Sequence, residues 1–254
     1  MLGIIGGSGL TQLSNLDVSH REIVRTPYGE PSGPITFGQL CGKPAMFLAR
    51  HGYGHTIPPH EVNYRANIWA LWHKGVTSII SVASVGGIRA DFQPGDIVIP
   101  SQIIDYTWGR SSTFHEGVGC TVTHIDFTEP YDRALREAVL LAASDVGVPA
   151  HSGGVYAATQ GPRLETAAEI NRLERDGADL VGMTGMPEAV LARELGIPYA
   201  AINVIANHAA GRADSKDGIS FAAIEDVLRE SMQRVRLVIE RLAGCHAQVC
   251  EVND

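Results

Sequence analysis

A single-domain α/β fold, with a central mixed β-sheet flanked by helices, follows from three observations on this 254-residue sequence. An amphipathic helix, a glycine and an apolar β-rich run recur in that order, the way a helix feeds a strand in α/β folds. The runs are apolar without alternation, as in strands covered on both faces. The content, 44% apolar and 19% charged, is that of a globular chain, and at this size folding buries roughly 70–75% of the unfolded surface without help from a disulfide or metal.

Leu2 to Ile5 reads as the first strand, running into the glycine turn Gly6-Gly7-Ser8-Gly9. Glu61 to Lys74 carries Val62, Ala66, Trp69 and Ala70 at helical spacing, stops at Gly75, and precedes a strand from Ser78 to Ala83. Tyr131 to Val146 is a helix closed by Gly147. Glu165 to Asp176 is another, ending at Gly177 before a strand from Ala178 to Gly182. Pro187 to Leu195 follows, with a first-turn proline, and Gly196 leads into a strand from Tyr199 to Ile205. Residues 208–219 are polar and glycine-bearing, suited to a mobile lid. The last helix, from about Ser220 to Ala243, has Ile224, Val227, Leu228, Met232, Val235, Ile239 and Leu242 on one stripe. One domain over 1–244 with a tail over 245–254 is the expected organisation.

A net charge of −8 argues against broad contact with nucleic acid or an acidic membrane. The segment MLGIIGGSGL lacks a signal peptide's basic flank, and no apolar run reaches the roughly eighteen residues of a membrane span. A soluble cytoplasmic protein is expected. Cys41, Cys120, Cys245 and Cys250 make a poor disulfide framework and read as reduced thiols. The last two lack a second ligand pair for zinc, and His51, His55 and His60 share no fixed helical face, so no metal is expected.

Four segments carry candidate chemistry, each at the end of a strand, where α/β folds place ligands. Gly6-Gly7-Ser8-Gly9 exposes backbone N–H groups and a hydroxyl to an anion. Arg50 beside His51 offers a forked cation next to a second donor, a fit to a phosphate oxyanion. Ala83-Ser84-Val85-Gly86-Gly87 lets backbone approach a ligand closely. Gly182-Met183-Thr184-Gly185 sets a hydroxyl just before a helix begins. Any one of these could be an ordinary turn; four together point to an anion site.

GIIGGSGL, ARHGYGH, PPHEVNYRANIWAL, VASVGGIR with QPGDIV, TQGPRLET and GMTGMPEAVLARELGIPYA together resemble the trimeric purine-nucleoside and methylthioadenosine phosphorylase family, in colinear order from residue 3 to about 243. The resemblance implies a nucleoside-phosphorylase fold and phosphorolysis, with inorganic phosphate as co-substrate and no cofactor. It implies that Ser8, Arg50, His51, Ala83, Ser84 (through its N–H) and Thr184 surround phosphate, that Met183 lies under the ribose, and that Asn207 and His51 are catalytic. His208 and Ala209 follow Asn207 in the implied substrate site. Adenine-specific members carry two aspartates where this chain reads Ala206-Asn207-His208. Asn207 can donate to a 6-carbonyl and accept from a protonated N7, and Glu165 resembles the glutamate that accepts N1–H of a 6-oxopurine. Ile224 and Val227 match the apolar 5′ pocket, and His124 resembles a histidine that reaches it from a neighbouring subunit of a homotrimer. The expected substrate is 5′-methylthioinosine. Methylthioadenosine or inosine/guanosine phosphorolysis, hydrolysis, and a non-catalytic nucleoside-binding module are the alternatives.

Overall fold

The structure, a computed structural model, describes residues 1–251, with side chains described through Gly244. The reading of Cys245, Cys250 and the 245–254 tail falls outside the described side chains.

The strands are β1 (Leu2–Gly6), β2 (Asp17–Glu22), β3 (Ile35–Leu40), β4 (Lys43–Ala49), β5 (Ser78–Gly87), β6 (Ile97–Ile99), β7 (Gln102–Asp105), β8 (His151–Ser152), β9 (Val155–Ala158), β10 (Leu180–Gly182) and β11 (Tyr199–His208). The helices are α1 (Tyr64–His73), α2 (Arg133–Asp145), α3 (Ala167–Arg175), α4 (Gly185–Glu194) and α5 (Phe221–Glu251). All eleven strands form one mixed sheet. Buried side chains of α2 and α5 form one core layer against it, and those of α1 and α4 a second on the other face, which is why its central strands are apolar without alternation.

Local chemistry fixes the helix ends. Asn63, Asp132 and Thr166 each accept a backbone N–H at the starts of α1, α2 and α3, and Thr166 forms a capping box with Glu169. Gly75, Gly147, Gly177 and Gly196 all take positive φ just past a helix, the conformation that lets the chain turn back into a strand. Two expectations need correction here. Glu165 precedes the Thr166 cap, so it lies outside α3 rather than in its first turn. Pro187 is not a regular first-turn residue: Met186 and Pro187 depart from helical angles, and α4 becomes regular only after them.

β5 is the hub. Along one edge β11 runs parallel to it for its whole length. The other edge divides: β1 pairs parallel from Ser78 to Ser81, and β10 pairs antiparallel at Gly86 and Gly87. Residues 82–85 have no strand partner on that edge, so the sheet forks there. β11 carries a bulge, with Ile205 opposite Val85 and Asn207 opposite Gly86, leaving Ala206 as the extra residue. A bulge reverses the alternation of side chains beyond it, and it re-aims Asn207.

Candidate active site

A cavity of about 670 Å³ opens at the fork. Ser8, Arg50, His51, Ala83, Ser84 and Thr184 line it, as do Met183, Glu165, Asn207, Ala209 and Ile224. Seven separate parts of the chain thus converge on one space.

Arg50 follows β4, and its backbone N–H donates to the Gly6 carbonyl, which locks it beside the first glycine turn. Arg50 and Glu188 are both fully buried. Nε donates to Glu188 Oε1 at 2.6 Å, Nη2 to Glu188 Oε2 at 2.9 Å and to Ser81 Oγ at 2.6 Å, and Nη1 to the Val82 carbonyl at 3.1 Å. Burial alone would lower the guanidinium's pKa; the Glu188 carboxylate outweighs it and holds the group above its ordinary range. The expected fork toward phosphate is therefore revised. Of five N–H donors, one, on Nη1, is left for a ligand. Nη1 faces the glycine turn so closely that a Cβ on Gly7 would lie 2.7 Å from it.

Glu188 is itself saturated, accepting also from Ser81 Oγ and Tyr199 OH at 2.8 Å each. This network was not read from the sequence; its signal was an acidic residue inside the apolar run Met186-Pro-Glu-Ala-Val-Leu191. A buried charge of that kind requires a partner.

His51 also has a different role from the one expected. Nδ1 donates to the Ile57 carbonyl at 2.8 Å, and burial, reinforced by the Arg50 charge, holds the ring's pKa down to about 4. At neutral pH the ring is neutral and Nε2 is an acceptor, able to receive a proton-bearing oxygen but not to donate to an anion. His55 packs against it with ring centroids 4.8 Å apart and meets Ser8 Oγ at 3.4 Å. His60 turns instead to Glu61, and no cluster of three metal-ligating side chains occurs among the described residues.

Ser84 gains its donor from the fork. Ile79 N–H points to the β11 side and Ile88 N–H to the β10 side, so even-numbered residues of β5 face the divided edge. The Val82 carbonyl there meets Arg50, and the Ser84 N–H opens into the gap. Thr184 stands at the start of α4 but caps none of its N–H groups. Tyr156 OH does that work, accepting from Thr184 N–H at 3.2 Å and Gly185 N–H at 3.4 Å.

Asn207, also on the cavity lining, donates one amide N–H to the His208 carbonyl at 2.6 Å. That bond fixes which way the amide points, leaving Oδ1 and the second N–H uncommitted. Glu165 Oε1 accepts from Thr159 Oγ1 at 2.6 Å.

Two of the expected substrate residues, His208 and Val227, do not line the cavity. The His208 ring lies off it, with Nδ1 2.5 Å from Asp214 Oδ1. Val227 turns outward beside Asp226 and Glu230, and Leu228 takes its place, because the strip of α5 facing the cavity runs through Phe221, Ile224 and Leu228 and Val227 is roughly a quarter-turn off it at 100° per residue. His124 is exposed in the irregular stretch between β7 and α2, outside this chain's cavity.

A mixed sheet that forks over an anion-suited cavity, lined by a buried arginine, a carboxylate and an amide, is the architecture of an α/β enzyme of the nucleoside pentosyltransferase type. The chain belongs to the Phosphorylase superfamily, whose family model matches residues 1–243. A relative from Xanthomonas campestris, named probable S-methyl-5′-thioinosine phosphorylase, is 55% identical over 96% of this chain and 97% of its own. A 6-oxopurine nucleoside phosphorylase of Pyrococcus furiosus is 44% identical, covering 96% of each chain. Among solved structures, methylthioadenosine phosphorylase from Schistosoma mansoni in complex with adenine superposes with a TM-score of 0.93 at 31% identity, covering 99% of this chain and 95% of that one.

Proposed function

We propose that the enzyme cleaves S-methyl-5′-thioinosine with inorganic phosphate, giving hypoxanthine and 5-methylthioribose 1-phosphate, and needs no cofactor. The observation that carries the reading is that Glu165 and Asn207 line the same cavity as Arg50. A carboxylate accepts from the N1–H that a 6-oxopurine has and adenine lacks; a free amide N–H suits a 6-carbonyl. The names of the two relatives agree with a 6-oxopurine substrate. Ile224 and Leu228 form an apolar surface for a methylthio group, where a 5′-hydroxyl would go unpaired.

In the reaction, a phosphate oxygen bonds to the anomeric carbon as its bond to purine N9 breaks, through an oxocarbenium-like transition state. The electron pair passes into the purine, N7 takes up a proton from solvent water, and Asn207 Oδ1 accepts from the resulting N7–H. The Arg50 Nη1 donor, Ser84 N–H, and Ser8 and Thr184 hydroxyls hold the nucleophile, while neutral His51 accepts from a protonated phosphate oxygen. Holding both reactants in line can supply about 7–11 kcal/mol of the barrier.

We also propose a cytoplasmic homotrimer whose sites are shared. Exposed free Cys41 and Cys120 suit a reducing compartment. Trp108, Val118 and Val122 are exposed on the same stretch as His124, and that stretch suits a surface covered by a second copy. Product analysis tests the chemistry: with methylthioinosine, hypoxanthine should appear only when phosphate is added, faster than adenine from methylthioadenosine or hypoxanthine from inosine. Base release without phosphate, or faster cleavage of either competitor, would overturn the assignment.

A further inference from the structure

Glu165 is an unusual place to put a base reader. It sits between Pro162 and the Thr166 cap, outside any strand or helix. The nearest arginine in sequence, Arg163, is turned away and paired with Glu169 at 2.7 Å. Among the described residues the Glu165 side chain makes a single hydrogen bond, the one from Thr159.

Thr159, by contrast, is held at both ends of its peptide. It follows β9 directly, its N–H donates to the Gly182 carbonyl at 2.8 Å, and its own carbonyl accepts from Arg110 Nη2 at 3.3 Å. The same guanidinium reaches the carbonyls of Gln160 at 2.8 Å, Met183 at 2.8 Å and Met186 at 2.6 Å. Thr159 is thus anchored to the strand end that carries Met183 and Thr184. Its hydroxyl also lies 3.3 Å from the Gly182 carbonyl, but has one proton to give, and the shorter contact to a charged oxygen is the stronger claim on it.

We propose that Thr159 is a specificity-determining positioning residue: by occupying Oε1 of Glu165, it turns Oε2 toward the cavity to accept N1–H of a 6-oxopurine. The inference rests on the base reading given above. It explains how a carboxylate on an irregular segment keeps one orientation, since a loosely held glutamate has several rotamers to choose from. The N1–H contact exists in the bound substrate as well as in the transition state, so losing its alignment raises KM and leaves kcat nearly unchanged.

The test uses Thr159→Val, close in shape but without the hydroxyl, and Thr159→Ser, which keeps it. Steady-state kinetics are measured with methylthioinosine and methylthioadenosine at saturating phosphate. For Thr159→Val we expect KM for methylthioinosine to rise about tenfold, the ratio for one misaligned hydrogen bond, with kcat and the methylthioadenosine constants within about twofold of the parent. Thr159→Ser should restore KM. An equal loss on both substrates, a fall in kcat alone, or no rescue by serine would mark a merely structural threonine and overturn the proposal. Glu165→Ala separates the two ideas. If it leaves the ratio of the two substrates unchanged, the base reading itself fails; if it collapses the ratio while Thr159→Val has no effect, only the role of Thr159 is lost.

Discussion

The residues proposed for the anion end and the base end of the cavity are built differently. At the anion end, Arg50, Ser81, Glu188 and Tyr199 are buried and cross-linked by hydrogen bonds of 2.6–2.9 Å. At the base end, Glu165 and Asn207 each depend on one hydrogen bond, to a linker threonine and to a neighbouring carbonyl. The residues proposed to hold phosphate therefore belong to the folded core, whereas the residues proposed to choose the substrate hang on a few contacts made by linkers and a strand bulge. The first is costly to disturb. The second can be altered with little damage to the fold.

The sharpest way to break that contrast is to remove Glu188. Taking away one partner of a buried pair leaves the other charge uncompensated, at about 3–5 kcal/mol, so Glu188→Leu should lower the unfolding free energy by that amount in denaturant titrations at fixed protein concentration. Combining it with Arg50→Met removes both charges, and the double variant should be more stable than Glu188→Leu alone. Activity should not return, because the donor to phosphate is gone. A double variant no more stable than the single would show that the network is not held together by charge.

A second effect at the same end depends on pH. The His51 pKa is about 4 in the folded chain, against about 6.5 when unfolded. Between these values the unfolded state binds the extra proton, so stability is complete above pH 6.5 and falls as the pH drops toward 4, by up to about 3 kcal/mol. His51→Gln should flatten the pH dependence of the unfolding midpoint in that window. Retention of the full slope would mean that His51 is not the titrating group.

The same contrast explains what the sequence could disclose. Helices and strands around Gly75, Gly147, Gly177 and Gly196 were legible because each glycine punctuates a periodic run. The short edge pieces β6, β7 and β8 were not, since two to four residues carry no period. The meeting of four glycine-bearing strand ends at one cavity was legible. Its true electrostatics were not: a sequence shows Arg50 as a free cation and cannot show that Glu188, 138 positions away, takes two of its donors while Ser81 and Val82 take two more. The bulge at Ala206 and the bond from Thr159 to Glu165 are likewise tertiary facts with no local pattern.

At the base end, Asn207→Asp should sharpen the comparison. The variant loses the N–H that suits a 6-carbonyl and gains an acceptor for a 6-amino group, a net change of about 1–3 kcal/mol, the scale of one buried hydrogen bond. The ratio of kcat/KM for methylthioinosine over methylthioadenosine should fall by roughly 5- to 150-fold. The unfolding free energy should move far less than in Glu188→Leu. An unchanged ratio would remove Asn207 from the base-reading pair.

The smallest effect concerns α5, where the helix face decides between adjacent residues. Ile224 and Leu228 lie on the cavity wall, and Val227 does not. Val227 is only half-buried among Asp226, Arg229 and Glu230, so Val227→Ala should shift stability by no more than about 0.5 kcal/mol and leave KM for methylthioinosine unchanged. Ile224→Ala removes apolar surface from the proposed 5′ pocket, and the loss of even one methylene in such a pocket is worth about 10-fold or more in discrimination. Its KM for methylthioinosine should rise while that for inosine, whose hydroxyl gains nothing from the isoleucine, moves less. If Val227→Ala matched Ile224→Ala, α5 would have to be turned by roughly a quarter of a revolution from its position here, and the methylthio pocket would need to be redrawn around the opposite edge of the stripe.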